Sequence, residues 1–190
     1  MSNIAIFASG SGTNAENLIQ YFSGNKLVTV KLVLSNKADA YVHERAKLHQ
    51  IASVSFNRDQ FYNTDYVLRL LADNQIDIII LAGFLWLVPN SLIQAYPNKI
   101  INIHPALLPK YGGKGMYGMK VHEAIIKNGE KESGITIHFV NDKYDDGEII
   151  AQVKCKIEPD ETPESLANKI HLLEYEHFPK VIERWIKKLS

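Results

Sequence analysis

The segment Asn102-Ile103-His104-Pro105 brings together an amide and an imidazole at a spacing suited to catalysis. Because side chains alternate along a strand, Asn102 and His104 project from the same face and lie side by side. An amide N–H can stabilise an oxyanion and an imidazole can move a proton, which are the two needs of acyl transfer to an amine. The alternative is a structural histidine that caps a turn, with Asn102 bonded to the backbone.

Three aspartates, Asp142, Asp145 and Asp146, lie further along the chain in a polar loop. A carboxylate beside His104 would orient the imidazole and stabilise its charged form. The alternative is a solvated hairpin loop with no role in chemistry. A divalent metal site is a third reading, although the residue pattern of a calcium-binding loop is absent from the sequence.

The turn Ser9-Gly10-Ser11-Gly12-Thr13-Asn14 follows an apolar run and precedes a helical pattern. Glycines allow a ligand to approach the backbone, and the helix that follows offers unpaired N–H groups to an anion. The turn is neither a Walker motif nor a complete dinucleotide motif, because Ala15 follows Asn14. It therefore predicts a phosphate or carboxylate site, with a plain strand-to-helix turn as the alternative.

Alternating strands and helices must hold these three segments, which indicates an α/β protein with a mostly parallel sheet. Apolar runs predict strands at residues 3–8, 28–34, 53–55, 77–81 and 99–103. Helices are expected after Asn14, from an N-cap at Asp39 through His49, and around residues 68–71. Pro105 ends the strand before it, so Asn102 and His104 lie at a carboxyl end, where ligands bind in parallel sheets.

The second half of the chain adds an antiparallel strand pair and a C-terminal helix. Residues 134–140 and 148–153 form the expected pair, separated by the acidic loop. Thr162 and Pro163 open the helix, and Pro179 is expected to kink or restart it. The glycine cluster at 112–118 is interpreted as a mobile loop, in which Met116 and Tyr117 close over the site.

Composition restricts the partners. Lys plus Arg and Asp plus Glu both number 21, so no net charge attracts a polyanion, and nucleic acid is not expected as a partner. Cys155, the only cysteine, is placed in a strand and favours a reducing, cytoplasmic compartment. The N-terminus has no signal-peptide pattern, and the longest apolar run, 78–88, is too short for a membrane span. A single domain over residues 1–190 is expected, as a monomer or homodimer.

The sequence resembles the folate-dependent formyltransferases over nearly its full length. The resemblance is carried by the glycine turn, by Leu81-Ala82-Gly83-Phe84, by Asn102-Ile103-His104-Pro105-Ala106-Leu107-Leu108-Pro109, and by residues 134–147 with His138-Phe139-Val140. It implies a Rossmann-like formyltransferase fold, which is a mostly parallel twisted sheet with helices on both faces and an antiparallel strand pair in the C-terminal part.

The same resemblance implies a one-carbon transfer of purine biosynthesis. A formyl group passes from the co-substrate 10-formyltetrahydrofolate to the primary amine of glycinamide ribonucleotide, without a metal. Asn102, His104 and Asp145 match the family's catalytic residues. Asp145 is preferred to Asp146 because of its spacing from His138.

Binding residues are also implied by the resemblance. The family's ribonucleotide phosphate site corresponds to Gly12, Thr13 and Asn14, and a glutamate of the C-terminal helix that contacts the same substrate corresponds to Glu174. The folate site corresponds to Arg58, Leu85, Trp86, Leu87, Val88, Asn102, Asn141 and Asp142.

Other functions fit less well. A nucleotide-dependent oxidoreductase using Gly10 and Gly12 would need a third glycine and an acidic residue where Asn36 and Lys37 stand. An inactive binding module would not need the three catalytic matches together. Among formyl-handling enzymes, formyltetrahydrofolate deformylase and methionyl-tRNA formyltransferase normally carry an extra domain, for which 190 residues leave no room. Sugar-nucleotide formyltransferases share the Asn-x-His core, but the phosphate-loop match disfavours them.

Overall fold

The computed structural model describes residues 1–189 and contains one seven-stranded sheet with the order β3-β2-β1-β4-β5-β6-β7. The first five strands are parallel, and β6 and β7 are antiparallel to their neighbours. The predicted fold class is therefore confirmed. The strands are β1 (Ser2–Phe7), β2 (Val28–Ser35), β3 (Ala52–Ser55), β4 (Ile78–Leu81), β5 (Ile100–His104), β6 (Glu132–Phe139) and β7 (Ile149–Lys156).

Helices cover both faces of the sheet, because alternate residues of each central strand point to opposite sides. In β1, Ile4 and Ile6 enter one buried cluster, and Ala5 and Phe7 enter the other. The first cluster also includes side chains of α1, α2, α6 and α7, and the second includes side chains of α3, α4 and α5. The helices are α1 (Thr13–Tyr21), α2 (Val42–Leu48), α3 (Arg58–Tyr62), α4 (Tyr66–Asp73), α5 (Asn90–Ala95), α6 (Met119–Lys127) and α7 (Pro163–Leu189).

One expectation about a helix end is wrong, and so is one half of another. Asp39 does not cap α2, which begins at Val42 after Tyr41, because residues 37–40 form a turn closed by the Ala40 N–H and the Lys37 carbonyl at 3.3 Å. Pro179 does not restart the last helix, which runs without interruption from Pro163 to Leu189. Its ring is buried, and neighbouring Phe178 is fully buried in the core, so packing offsets the missing backbone hydrogen bond.

The last helix, α7, ties the end of the described chain to its beginning. Its start is capped as predicted, since the Ser165 N–H donates to Thr162 Oγ1 at 3.1 Å. Further along, the Asn17 side chain donates to the Tyr175 carbonyl at 3.0 Å, which fixes α7 against α1. This contact brings Glu174 beside the glycine turn that precedes α1.

Candidate active site

A cleft of about 650 Å³ opens at the carboxyl ends of β1, β4 and β5. The glycine turn after β1 forms one wall, residues 82–85 after β4 form the next, and Asn102 to Pro105 lie at its centre. Residues 113–119 and side chains of α6 and α7 complete the walls. This is the position at which open parallel sheets bind ligands, because the crossovers leave on opposite sides of the sheet there.

Asn102 and His104 converge on Asp145 within this cleft. Asn102 Nδ2 lies 3.4 Å from Asp145 Oδ1, and His104 Nδ1 lies 3.5 Å from Asp145 Oδ2. Asp146 instead lies on the surface, with 54% of its side chain exposed and its carboxylate 3.6 Å from Lys143 Nζ. The geometry therefore brings together Asn102, His104 and Asp145, and leaves Asp146 outside.

His104 is held as a neutral imidazole with a defined tautomer. Its Nε2 donates to the Tyr111 carbonyl at 2.7 Å, so Nδ1 carries the lone pair that faces Asp145. Only 4% of the residue is exposed. Burial lowers the pKa of His104 below its ordinary value, and this effect outweighs the charge of Asp145, which acts in the opposite direction. The group can therefore accept a proton at Nδ1, next to a carboxylate.

Asp145 is fixed as an anion. Its Oδ2 accepts a hydrogen bond from the Gly113 N–H at 2.9 Å, and its side chain is 12% exposed. Burial alone would raise the pKa of Asp145, but His138, His104 and the Gly113 N–H outweigh it, so the pKa is lowered. The glycine loop thus supplies a direct contact to the carboxylate.

His138 is a residue of this site to which the sequence analysis assigned no role. Its Nδ1 donates to the Phe139 carbonyl at 2.7 Å, and its Nε2 lies 3.1 Å from Asn102 Nδ2 and 3.7 Å from Asp145 Oδ1. The contact with Asn102 Nδ2 fixes the orientation of that amide. The pairing follows from the register of β5 and β6, in which Asn102 lies opposite His138.

The other end of the cleft holds the predicted ribonucleotide residues. Gly12 precedes α1 in a left-handed conformation, and no side chain caps the helix, so its first N–H groups can bind an anion. Asn14 Nδ2 donates to Glu174 Oε2 at 2.8 Å, although 160 residues separate them. His171 Nδ1 lies 3.0 Å from the same carboxylate oxygen, and this hydrogen bond raises the pKa of His171.

Gly12→Ala is expected to weaken ribonucleotide binding about tenfold and to lower the free energy of unfolding by about 1–3 kcal/mol. A β-carbon at Gly12 would lie 2.4 Å from Val42 Cγ2 and 2.9 Å from Val42 Cα, at a φ of +72°. The start of α1 would have to move away from α2, and its N–H groups would leave the cleft. Steady-state KM values and urea unfolding would measure the two effects.

Gly24→Ala is the matched control for this prediction. Gly24 has nearly the same φ, +70°, but a β-carbon there meets nothing within 4 Å. Both variants share the backbone strain, and only Gly12→Ala adds the clash. Equal KM values for the ribonucleotide in the two variants would show that the position of α1 does not govern binding.

The predicted folate residues divide into two groups. Leu85 and Asn102 line the cleft, whereas Arg58, Trp86, Leu87, Val88, Asn141 and Asp142 lie outside its walls. Trp86 packs on Phe56, Phe61 and Phe84, and Val88 is buried in the same cluster. Their binding of folate stays a prediction.

Arg58 lies over the aromatic rings beside the cleft. Its guanidinium is 5.0 Å from the centre of the Tyr62 ring and 5.8 Å from that of Trp86. Tyr144 lines the cleft from the acidic loop. Met116 and Tyr117 also line it, and their closure over a ligand stays a prediction.

Among residues 1–189, no group of three or more His, Cys, Asp or Glu side chains is arranged to hold a metal ion. Within the same residues, none of the helices has the length and apolar character needed to cross a membrane.

Known proteins resemble this chain over most of its length. The phosphoribosylglycinamide formyltransferase of Haemophilus influenzae is 38% identical over 188 residues, which cover 96% of this chain and 86% of the relative. That of Bacillus subtilis is 35% identical over 97% of this chain and 94% of its own. The chloroplastic enzyme of Arabidopsis thaliana is 38% identical over 94% of this chain, which spans 63% of that longer protein.

Solved structures have the same fold. The crystal structure of phosphoribosylglycinamide formyltransferase from Bacillus halodurans superposes with a TM-score of 0.88 at 37% identity, covering 100% of this chain and 97% of that one. A model of the formyl transferase family matches residues 2–182. With the fold, the match and the convergence at Asn102, His104 and Asp145 in agreement, the chain belongs to the formyl transferase family.

Proposed function

We propose that this chain transfers a formyl group from 10-formyltetrahydrofolate to the primary amine of glycinamide ribonucleotide, a step of purine biosynthesis. The observation that carries the proposal is the contact of His104 and Asn102 with Asp145 at the centre of the cleft. Relatives named for this activity cover nearly the whole chain. The folate acts as a co-substrate.

His104 carries the proton in the proposed reaction. The neutral amine attacks the formyl carbon and forms a tetrahedral intermediate with an oxyanion and an ammonium nitrogen. Nδ1 of His104 takes the proton from that nitrogen and later gives it to the leaving folate nitrogen, so that no net proton is consumed. Between these steps His104 is an imidazolium, which Asp145 stabilises from 3.5 Å.

Asn102 binds the oxyanion in this proposal. In the ligand-free arrangement one amide hydrogen is directed at His138 and the other at Asp145. The second bond, at 3.4 Å, is long for a hydrogen bond and is therefore weak. The developing oxyanion competes successfully for this hydrogen, while His138 keeps the amide oriented.

The α1 end of the cleft binds the ribonucleotide. The phosphate lies at Gly12 and Thr13, where backbone N–H groups and the helix dipole favour an anion. Glu174 and Asn14 lie beside this position and contact uncharged parts of the substrate. The amine is thereby directed toward His104, and the folate occupies the side of the cleft near Leu85 and Tyr144.

A formyl-transfer assay tests the proposal. Purified protein is incubated with 10-formyltetrahydrofolate and glycinamide ribonucleotide, and release of tetrahydrofolate is followed. We expect release that depends on the ribonucleotide. Release without the ribonucleotide would identify a deformylase instead, and no release with either mixture would reject a formyl-transfer enzyme.

Three properties stay predictions beside this function. A cytoplasmic location rests on the single cysteine, and a monomer or homodimer is the expected assembly. A single domain over residues 1–190 rests on length and on the lack of a linker pattern in the sequence.

A further inference from the structure

Tyr111 directly precedes the glycine loop and has a backbone conformation that bulky residues rarely adopt. Its φ is +58°, in the left-handed region, which persists only where the surroundings impose it. Its carbonyl accepts the His104 Nε2–H at 2.7 Å, and two residues later the Gly113 N–H donates to Asp145 at 2.9 Å. This short strained segment therefore contacts both His104 and Asp145.

Two polar side chains hold the Tyr111 hydroxyl in place. The hydroxyl donates to Glu130 Oε1 at 2.9 Å and accepts from Asn128 Nδ2 at 2.9 Å. Asn128 and Glu130 lie where α6 ends, and the Asn128 N–H is bonded to the Ala124 carbonyl at 3.0 Å. The Tyr111 ring packs against the first buried cluster of the core. The ring and the hydroxyl together fix the residue whose carbonyl meets His104.

The surroundings of His104 attract its ring hydrogen in two directions. A hydrogen on Nε2 is bonded to the Tyr111 carbonyl at 2.7 Å, whereas a hydrogen on Nδ1 would face Asp145 Oδ2 at 3.5 Å. The first bond has the better length, so it decides the tautomer while the carbonyl stays in place. Only this tautomer leaves Nδ1 free to accept a proton from the substrate amine. A carbonyl that moved away would let the charge of Asp145 draw the hydrogen to Nδ1.

We propose that Tyr111 is a positioning residue, held by Glu130 and Asn128 so that its carbonyl keeps His104 in the proton-accepting tautomer. The inference rests on the proposed function and adds three residues to it, none of which lines the cleft. They act on the reaction through the Tyr111 carbonyl. When the hydroxyl is released, the backbone of residue 111 relaxes toward a commoner conformation and the carbonyl leaves His104.

The tautomer of His104 is measurable in the substrate-free protein. In the protein labelled with ¹⁵N-histidine, long-range ¹H–¹⁵N correlation at about pH 8, where an ordinary histidine is neutral, shows which ring nitrogen carries the hydrogen. The chain has seven histidines, so the spectrum of His104→Gln identifies the signals of His104. We expect the Nε2–H form in the wild type and an Nδ1–H fraction at least about threefold larger in Tyr111→Phe. Equal tautomer populations in the two proteins, or a wild type in the Nδ1–H form, would overturn the inference.

Variants of Glu130 and Lys110 separate the anchor of Tyr111 from a surface ion pair. Lys110 Nζ also lies 2.9 Å from Glu130 Oε1, on a side chain that is 69% exposed. Glu130→Ala removes the acceptor of the Tyr111 hydroxyl, Glu130→Gln keeps an oxygen for it, and Lys110→Met removes only the ion pair. We expect Glu130→Ala to lower kcat about 3–10-fold with KM for the ribonucleotide unchanged. Glu130→Gln and Lys110→Met should stay within about 2-fold of the wild type, and equal losses in Glu130→Ala and Glu130→Gln would contradict the inference.

Thermal unfolding separates positioning from loss of the fold. Tyr111→Phe keeps the packed ring, so it carries the test if Glu130→Ala does not fold. A lower kcat in Tyr111→Phe together with an altered tautomer supports the inference, and a lower kcat with the wild-type tautomer contradicts it. The tautomer is measured without substrate, so absence of formyl transfer by the wild type would reject the proposed function and leave the result on His104 valid.

Discussion

Exchanging His104 for glutamine is expected to lower kcat for formyl transfer by about 10³-fold, because the amide cannot carry the proton between the two nitrogens. Glutamine can still donate to the Tyr111 carbonyl, which His104 Nε2 reaches at 2.7 Å. The substitution therefore removes the proton acceptor and keeps the buried hydrogen bond. Alanine is a poorer choice, since it would leave a cavity and an unpaired carbonyl.

Single-turnover rates and ribonucleotide titrations measure this effect. The affinity for the ribonucleotide should stay within about 3-fold, because its phosphate binds at the start of α1 and not at His104. His177→Gln provides a histidine substitution with no contact to the cleft. A His104→Gln variant that retains more than about a tenth of the wild-type kcat would contradict proton transfer through this residue.

Asp145→Asn is expected to lower kcat about 10²-fold and to shift the acid limb of kcat/KM to lower pH. The loss arises because the imidazolium of His104 loses the carboxylate 3.5 Å away. The shift follows from the pKa of His104, which burial lowers and Asp145 raises. Removing the negative charge leaves burial with less opposition, so the pKa falls further and His104 remains neutral at lower pH.

The neighbouring aspartate supplies the control. Asp146→Asn changes the same charge one residue away, on an exposed side chain that pairs with Lys143. Its kcat and its pH profile should match the wild type within about 2-fold, since exposed ion pairs contribute little. An acid limb that moves to higher pH in Asp145→Asn, or one that moves equally in both variants, would reject the assigned role of Asp145.

The architecture was predictable where the hydrophobic pattern is strong. Continuous apolar runs identified the buried strands, including Ile78–Leu81, and the proline after His104 identified the end of β5. Helices α3, α5 and α6 have no counterpart among the predicted elements, because α3 and α5 are short and the glycine cluster hides the start of α6. The start of α2 was misplaced because Asp39 looks like an N-cap although it lies in a turn.

Of the site, the sequence predicted only the placement of residues that are neighbours along one strand. Period-two alternation places Asn102 and His104 side by side, but it cannot show which aspartate of a distant loop reaches them. That choice depends on the fold of the loop, in which Asp145 has a φ of +53° and a side chain that is 12% exposed, against 54% for Asp146. His138 depends likewise on the register between β5 and β6, which no local pattern reveals.

The predicted folate residues Trp86 and Val88 could not be assigned from the sequence for a different reason. Trp86 and Val88 match the family's folate segment, yet their apolar side chains also suit a core, and the sequence alone does not rank the two uses. In the structure Val88 is buried, and the Trp86 ring lies 5.8 Å from that of Phe61. Burial of apolar surface against neighbours that are already present is a stabilising contribution independent of any ligand.

Because α7 supplies Glu174 to the glycine turn before α1, the substrate site is completed only late in translation. Asn14 leaves the ribosome before its partner Glu174, which follows 160 residues later. At a synthesis rate of roughly 5–20 residues per second, Glu174 is added on the order of ten seconds after the glycine turn. A nascent chain can therefore form β1 to β5 and carry the catalytic Asn-x-His segment while it still lacks a complete substrate site.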